Sequence, residues 1–561
     1  MNRRRILFAG EFSQLSTGFA TYHREVMRRL HATGKYELAE FASYAAPNDP
    51  RAAGLPWKFY GVLPATQAEK KIYESDQRNQ FGRYKFDAAV ADWQPDITAL
   101  ILDPWMVEHV FTSRFRKMYK IFYMPTVDSA PQKRQWIEEL YRKTDILTTY
   151  SRYGKGVLEK EGLLVGDVTS PGITLDVFRP LDKLAVREEF HLTPSLLVFG
   201  TVMRNQKRKL FPDLFDAYAT LRNKYAPRQL VNRAKEKTRT GRSLSKNEKE
   251  ALRIEHSVLY CHTSWPDLGW DLPDYIHRFG LQRHIVFTYK CDACKAVYAD
   301  WFAPSDQKGM RICRLCGNHA SHMPNTHSGV DEEWLVKIFN LFDVYIQPAI
   351  CEGWGLPIME SKACGIPGLY QNYSAMEDHV ENGGGLPIKV GRFFHEAETA
   401  AVRSLPDIDD LVAKMARLAF DDNLRLKLGK EARRCAEKMH SWDLTAAKIE
   451  SLLDSVEISN RNDTWLRPPN IQFVNNTPPP ANLSDGDFIA WLYINILGRA
   501  PDQKGFADWM SNLSNGSDRA SIERFFREEI ISSNTFESIR WAKATGQNMS
   551  RSVTNLEGIL I

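Results

Sequence analysis

Short apolar runs alternate with longer stretches of helical composition through most of this chain. Arg5–Gly10 (R-I-L-F-A-G), Tyr36–Tyr44, Ile97–Leu102, Lys120–Met124 and Ile146–Tyr150 are brief and rich in β-branched and aromatic residues, and read as buried strands. A helix over Phe19–Leu30 follows the first of them. Strand and helix in alternation predict a parallel sheet with crossovers, so the first half of the chain reads as α/β and Rossmann-like. The alternation resumes at Leu196–Thr201, with a helix ending near Tyr225, and continues through strands at Ser257–Thr263, His284–Thr288 and Phe342–Ile350.

The last of these runs leads into Cys351–Pro367, C-E-G-W-G-L-P-I-M-E-S-K-A-C-G-I-P. Gly353 and Gly355 free the backbone around Trp354 for close approach to a ligand, and Ile358–Cys364 has the composition of a helix. Amide N–H groups at such a helix start, with the helix dipole, favour an anion, most often a phosphate. Glu352 opens the turn and Glu360 lies eight residues later, about two helical turns on. Taken singly, both acids would be ordinary solvated charges. Bracketing G-W-G-L-P, they resemble the donor-site signature of the retaining, nucleotide-sugar-dependent glycosyltransferases of the GT-B fold, called group 1 or GT4. The resemblance implies two Rossmann-like domains facing across a cleft. It also implies that Glu352 holds sugar hydroxyls, that Glu360 holds the ribose of a UDP- or GDP-sugar, and that amides of Gly353, Trp354, Gly355 and Leu356 fix sugar and phosphate.

Other segments resemble the same family in the same order. Ser16-Thr17-Gly18 stands where the family has a glycine-rich loop near the donor diphosphate, although Ser-Thr-Gly also simply begins many helices. Asp103 and Asp128 follow the ends of two predicted strands, the end of an open sheet where ligands collect. Asp128, in Y-M-P-T-V-D-S, matches a position from which family members contact the reacting sugar; no histidine occurs here, and a helix N-cap is the other reading of this aspartate. Ser170–Pro180 resembles the inter-domain segment, with Gly172, Asp176, Phe178 and Pro180 in register. Arg204 and Lys209 match the two cations that the family sets against the donor diphosphate, stabilising the charge on the leaving group without Mg²⁺. Lys207 and Arg208, beside them, are what any basic loop contains. In the residues implied to be catalytic, Glu352 is therefore joined by Asp128, Arg204 and Lys209.

Composition changes this picture in four places. Arg228–Arg253 is strongly basic, either a track for a phosphate backbone or, the preferred reading, a solvated helical excursion. C-D-A-C at Cys291 and Cys294 and C-R-L-C at Cys313 and Cys316 have the spacing of a zinc ribbon, four thiolates closing a structural tetrahedral site. Ser459–Asp485 is a proline-rich linker. The tail from Phe488, with L-G-R-A-P-D, Gly505 and Trp509, resembles the small helical module DUF4214, implying a docking unit for a protein partner. The expected domains are 1–180 (acceptor), 181–457 (donor, with insertions at 228–253 and 290–320), 458–485 (linker) and 486–561 (helical module).

The whole 561-residue chain, 43% hydrophobic and 25% charged, has no bilayer-length apolar run, and Met1-Asn-Arg-Arg-Arg leads into too short an apolar stretch for a signal peptide, so the expected location is cytoplasmic. A net charge of +5 over that length argues weakly for any polyanion. The acceptor stays open at this point: a glycan or glycoconjugate leads, a hydroxymethylated base in DNA is the alternative, and a catalytically silent scaffold is a third reading.

Overall fold

The computed structural model describes residues 3–303, 305, 309–325, 328–458, 465, 478–496, 501 and 503–530. The first lobe is built on a sheet of six parallel strands in the order β3-β2-β1-β4-β5-β6. These are β1 (Arg4–Glu11), β2 (Tyr36–Ser43), β3 (Lys58–Gly61), β4 (Ile97–Leu100), β5 (Lys120–Tyr123) and β6 (Ile146–Leu147). In β1, Ile6 and Phe8 pack toward Tyr22, Val26 and Leu30 of the helix Gly18–Ala32, while Leu7 and Ala9 join Phe86 and Val90 in a separate core. With both faces of the sheet covered, the central strands must be apolar throughout, which is why they stood out as unbroken runs. The edge strand β3 is half-exposed and did not.

The second lobe repeats the plan. Its strands are β7 (Leu197–Val202), β8 (Ser257–His262), β9 (Ile285–Cys291), β10 (Val297–Trp301), β11 (Arg311–Ile312), β12 (His319–His322), β13 (Val344–Gln347), β14 (Gly368–Gln371) and β15 (Gly385–Ile388). The parallel part runs β9-β8-β7-β13-β14-β15. The cysteine-bearing insertion continues this sheet: β10 and β12 both pair antiparallel with β9, whose last residue is Cys291. A hairpin of β16 (Val390–His395) and β17 (Val402–Pro406), absent from the sequence reading, follows β15.

Two chain segments cross between the lobes side by side. Ile173 N–H donates to the carbonyl of His440 at 3.1 Å, and a Cβ on Gly172 would lie 2.2 Å from the backbone nitrogen of Trp442, so only glycine lets the segments touch. The helix Trp442–Ser455 then returns to the first lobe, where Arg29 pairs with Asp443 at 2.6 Å and the Tyr36 hydroxyl donates to Asp454 at 2.6 Å.

The basic excursion forms two helices, Arg228–Arg239 and Lys246–Glu255. Its cations are largely matched: Arg233 and Lys237 pair with Glu248, Lys235 with Glu255, Arg239 with Glu236 and Arg253 with Asp422. In the tail, Phe488, Leu492 and Tyr493 of the helix Asp485–Asn495 pack with Ile522 and Phe526, and Lys71 of the first lobe reaches Asp487 at 3.5 Å. Most of the predicted linker (459–464 and 466–477) and of the L-G-R-A-P-D turn lies outside the described residues. No described helix is long and apolar enough to cross a membrane.

Candidate active site

In each sheet the strand order reverses beside its first strand, between β1 and β4 in one lobe and between β7 and β13 in the other. Loops leaving the carboxyl ends of strands at such a reversal diverge and open a crevice. All the sequence-predicted site residues except the cysteines lie on or beside these loops.

Glu352, one turn beyond β13, is 5% exposed. Its carboxylate accepts from Arg208 Nη1 at 2.8 Å, from Gln347 Nε2 at 2.8 Å and from Lys209 Nζ. Burial alone would raise its pKa, but Arg208 and Lys209 outweigh that and hold it down, to about 2. Lys209 is also buried; desolvation and the neighbouring charge of Arg208 push its pKa down to about 8 despite Glu352. Both cations come from a short 3-10 turn, Lys207–Lys209. It is followed by Leu210 at φ 47°, a left-handed conformation that is costly for a non-glycine residue and typical of a functional site.

The turn after Glu352 matches its glycines to need. Gly355, at φ 96°, precedes the helix Leu356–Ala363, whose start has no side-chain cap. Trp354 is anchored, its Nε1 donating to Met359 Sδ and its carbonyl meeting His379 Nε2 at 2.9 Å. Gly353 is a matter of space: a Cβ there would lie 2.4 Å from Thr126 Cγ2 of the opposite lobe. Gly18 faces Leu356 in the same way, at 3.3 Å. Gly353→Ala is expected to force the lobes apart and lower kcat by about a hundredfold, the cost of a displacement near 1 Å. Thr126→Ser, which removes that methyl, should restore most of the loss; failure of the rescue would show that space is not the cause.

From the first lobe, Glu11 ends β1, Asp103 follows β4, and Thr126 and Asp128 follow β5. Burial, with the like charges of Asp128 and Glu11 against Thr126 and Arg208, raises the Asp103 pKa to about 6. Asp128 is not a helix cap, since the next helix is Arg134–Glu139 with Lys133 at its N-cap. Instead it meets the second lobe: its Oδ1 accepts from Arg403 Nη1 at 2.9 Å and its Oδ2 from the Cys351 thiol at 3.2 Å. Arg204 projects from the same loop as Lys209 but forks onto Asp267, at 2.9 and 3.0 Å. Glu360 sits on the second turn of Leu356–Ala363; burial and the like charge of Glu332 raise its pKa to about 8, and its carboxylate has no hydrogen-bond partner among the described residues. The structure thus gathers Glu352, Lys209, the Gly353–Leu356 turn and Asp128. It adds Arg208, Gln347 and Arg403, which the sequence reading passed over.

The four cysteines of the insertion converge. Their sulphurs all lie within 4.8 Å of one another, with Cys291 to Cys316 at 3.7 Å and Cys294 to Cys313 at 3.9 Å. Four thiolates around zinc at about 2.3 Å would be separated by about 3.8 Å, so the donor set fits the metal. His322 is engaged elsewhere, by the Met323 carbonyl at 2.8 Å and by Asp292 at 3.3 Å.

Comparison with known proteins gives two family matches, glycosyl transferases group 1 over residues 321–435 and the domain of unknown function DUF4214 over residues 473–528. An MMP alpha-(1->4)-mannosyltransferase of Mycolicibacterium hassiacum is 30% identical over 134 residues, 24% of this chain and 29% of that protein. A D-inositol 3-phosphate glycosyltransferase of Corynebacterium glutamicum is 30% identical over 128 residues, 23% of this chain and 27% of its own length. The chain therefore spans less than a third of either relative. Among solved structures, sucrose-phosphate synthase of Thermosynechococcus elongatus matches with TM-score 0.56 at 14% identity, over 81% of this chain and 98% of that one. Anabaena HepE in complex with UDP-glucose matches with TM-score 0.54 at 12% identity, over 81% and 100%. Both likenesses are of fold.

Proposed function

We propose that this chain, which carries a group 1 glycosyltransferase domain on a GT-B fold, transfers a sugar from a nucleoside-diphosphate donor to an acceptor hydroxyl with retention at the anomeric carbon. The observation that carries this reading is the meeting, at one reversal point, of a buried carboxylate, two cations and an uncapped helix start. The diphosphate lies against the amides at Leu356 and against Lys209, with Arg208 beside it and Arg204 exchanging Asp267 for phosphate oxygen. Glu352 then turns to the sugar hydroxyls and Glu360 to the ribose. Asp128 approaches the sugar from the other lobe.

In the step itself, the bond from the anomeric carbon to the diphosphate oxygen breaks as the acceptor oxygen bonds to the same face of that carbon. The acceptor proton passes to the departing phosphate oxygen, so no dedicated base is required, and the negative charge left on the nucleoside diphosphate is met by fixed cations. Lobe closure keeps water from the activated sugar.

A glycan or glycoconjugate is the acceptor we favour, since the relatives are named as an MMP alpha-(1->4)-mannosyltransferase and a D-inositol 3-phosphate glycosyltransferase. The paired charges of the basic helices offer little to a DNA backbone. UDP- or GDP-sugars are the donors of choice. The reading is tested by incubating the protein with a panel of both and with glycan acceptors, following nucleoside diphosphate release, and assigning the product anomer by NMR. Release that depends on acceptor and a product of unchanged anomeric configuration are expected. No release with any donor would sink the function, and an inverted product would sink retention alone.

Zinc, held by Cys291, Cys294, Cys313 and Cys316, belongs to the same proposal as a structural ion. With four protein ligands it leaves no open position for chemistry. A thiol-reactive reagent is expected to release one zinc per chain with a fall in melting temperature, whereas a metal-free protein of unchanged stability would contradict this. We place the enzyme in the cytoplasm, whose reducing conditions suit free thiols, and assign the helical tail to docking a protein partner.

A further inference from the structure

We propose that Arg403 is a positioning residue, the working end of a clasp by which the β16–β17 hairpin of the second lobe holds Asp128 of the first lobe beside the donor turn; this presupposes the transferase reading. Arg403 is 7% exposed. Its guanidinium serves three partners: Nη1 donates to Asp128 Oδ1 at 2.9 Å and to Cys351 Sγ at 2.9 Å, and Nη2 donates to Glu396 Oε2 at 2.7 Å. Cys351 in turn donates to the other oxygen of Asp128, at 3.2 Å. Both carboxylate oxygens of a first-lobe aspartate are therefore held by second-lobe side chains, one of which is the residue next to Glu352.

The backbone makes the same crossing. Val402 N–H donates to the carbonyl of Ala130 at 2.8 Å, an isolated antiparallel bridge between the lobes. Neighbouring side chains of a strand point to opposite faces, and β17 uses both. Ser404 fixes the strand to its own lobe through the Ile350 carbonyl, at 3.1 Å, and Gln371, at 3.3 Å. Arg403, one residue earlier, spans the cleft. A planar fork of fixed charge suits three acceptors at once; a lysine, as a point charge, does not. If the lobes part, Asp128 loses both second-lobe holders together and keeps only the hydroxyl of its neighbour Ser129, at 3.0 Å, so closure and the placement of Asp128 become one event. The hydrogen bonds of Arg403 reach neither Lys209, nor Arg208, nor the helix start at Leu356, so donor affinity is not what the clasp controls.

The test compares wild type, Arg403→Ala, Arg403→Lys, Asp128→Ala and the double alanine variant, measuring kcat, the Kd of the donor nucleotide by calorimetry, and melting temperature. Arg403→Ala should lower kcat by about a hundredfold with donor Kd changed by less than about threefold. Guanidinium ion added at millimolar levels should recover part of that loss in Arg403→Ala but none in Asp128→Ala. The double variant should be no slower than Asp128→Ala, because the two residues act as one unit. Arg403→Lys keeps charge and bulk, and so covers the case of a misfolded alanine variant; it should fold and still lose most of kcat. Wild-type turnover in either Arg403 variant, or losses that multiply in the double variant, would overturn the clasp and leave the transferase reading intact. A wild-type protein inactive with every donor would instead defeat the reading beneath it.

Discussion

Lys209→Ala is expected to lower kcat by about 10²- to 10³-fold, the cost of losing one fixed group aimed at developing negative charge. The lysine is buried beside Glu352, and its neighbour Arg208 is held at 2.8 Å from Glu352 and 3.2 Å from the Cys351 carbonyl. The same residue sets the alkaline limit. Its pKa is depressed, to about 8, and only its protonated form can meet the leaving diphosphate. The profile of kcat/KM for the donor, which reports the free enzyme, should be flat below that pH and fall as pH rises through it. Lys209→Arg keeps its proton throughout this range, so its profile should lose the alkaline limb even where its absolute rate is lower. An alkaline limb that persists in Lys209→Arg would assign the titration to another group.

Glu352→Ala is expected to remove turnover and also to destabilise the second lobe by about 3–5 kcal/mol, because two cations are left without the carboxylate that balances them. The stability part has a definite pH dependence. The folded-state pKa of Glu352 is depressed, from 4.5 to about 2, so its contribution is fully present above 4.5 and is lost as pH falls toward 2. The gap in unfolding free energy between wild type and Glu352→Ala should therefore be constant near neutrality and close below pH 4.5. Denaturant melts of both proteins across that range check it. A gap that does not narrow would mean that packing, not the ion pairs, carries the difference.

What the sequence could convey followed from how local each feature is. The inner strands β1, β7 and β13 are short and apolar on both faces, and their pattern is unambiguous. The E-G-W-G-L-P turn carries its own glycines, each answering to something the structure needs: a left-handed φ at Gly355 and close approach to Thr126 at Gly353. The basic loop was harder. In K-R-K nothing local says which cations turn inward, and the choice is made by the left-handed Leu210, where no glycine signals the twist. Lys209 was singled out in advance, but its companion on Glu352 is Arg208, while Arg204 rests on Asp267. The clasp was invisible for a stronger reason. Arg403 and Asp128 are 275 residues apart, and the strand bearing the arginine, V-R-S-L-P, has no run of apolar residues. Asp378 is similar: it accepts from the backbone amide of Arg152, at 2.6 Å, at the start of a first-lobe helix, and only the fold brings the two together.

The central claim is that a nucleoside diphosphate is gripped between the lobes by Lys209 and the helix start at Leu356. Calorimetric titration of UDP and GDP into wild type and Lys209→Ala, with no divalent ion added, tests it most directly. One of the two nucleotides should bind wild type at one site per chain, and its affinity should fall at least about tenfold in the variant. No heat with either nucleotide, or equal affinity in both proteins, would contradict the account.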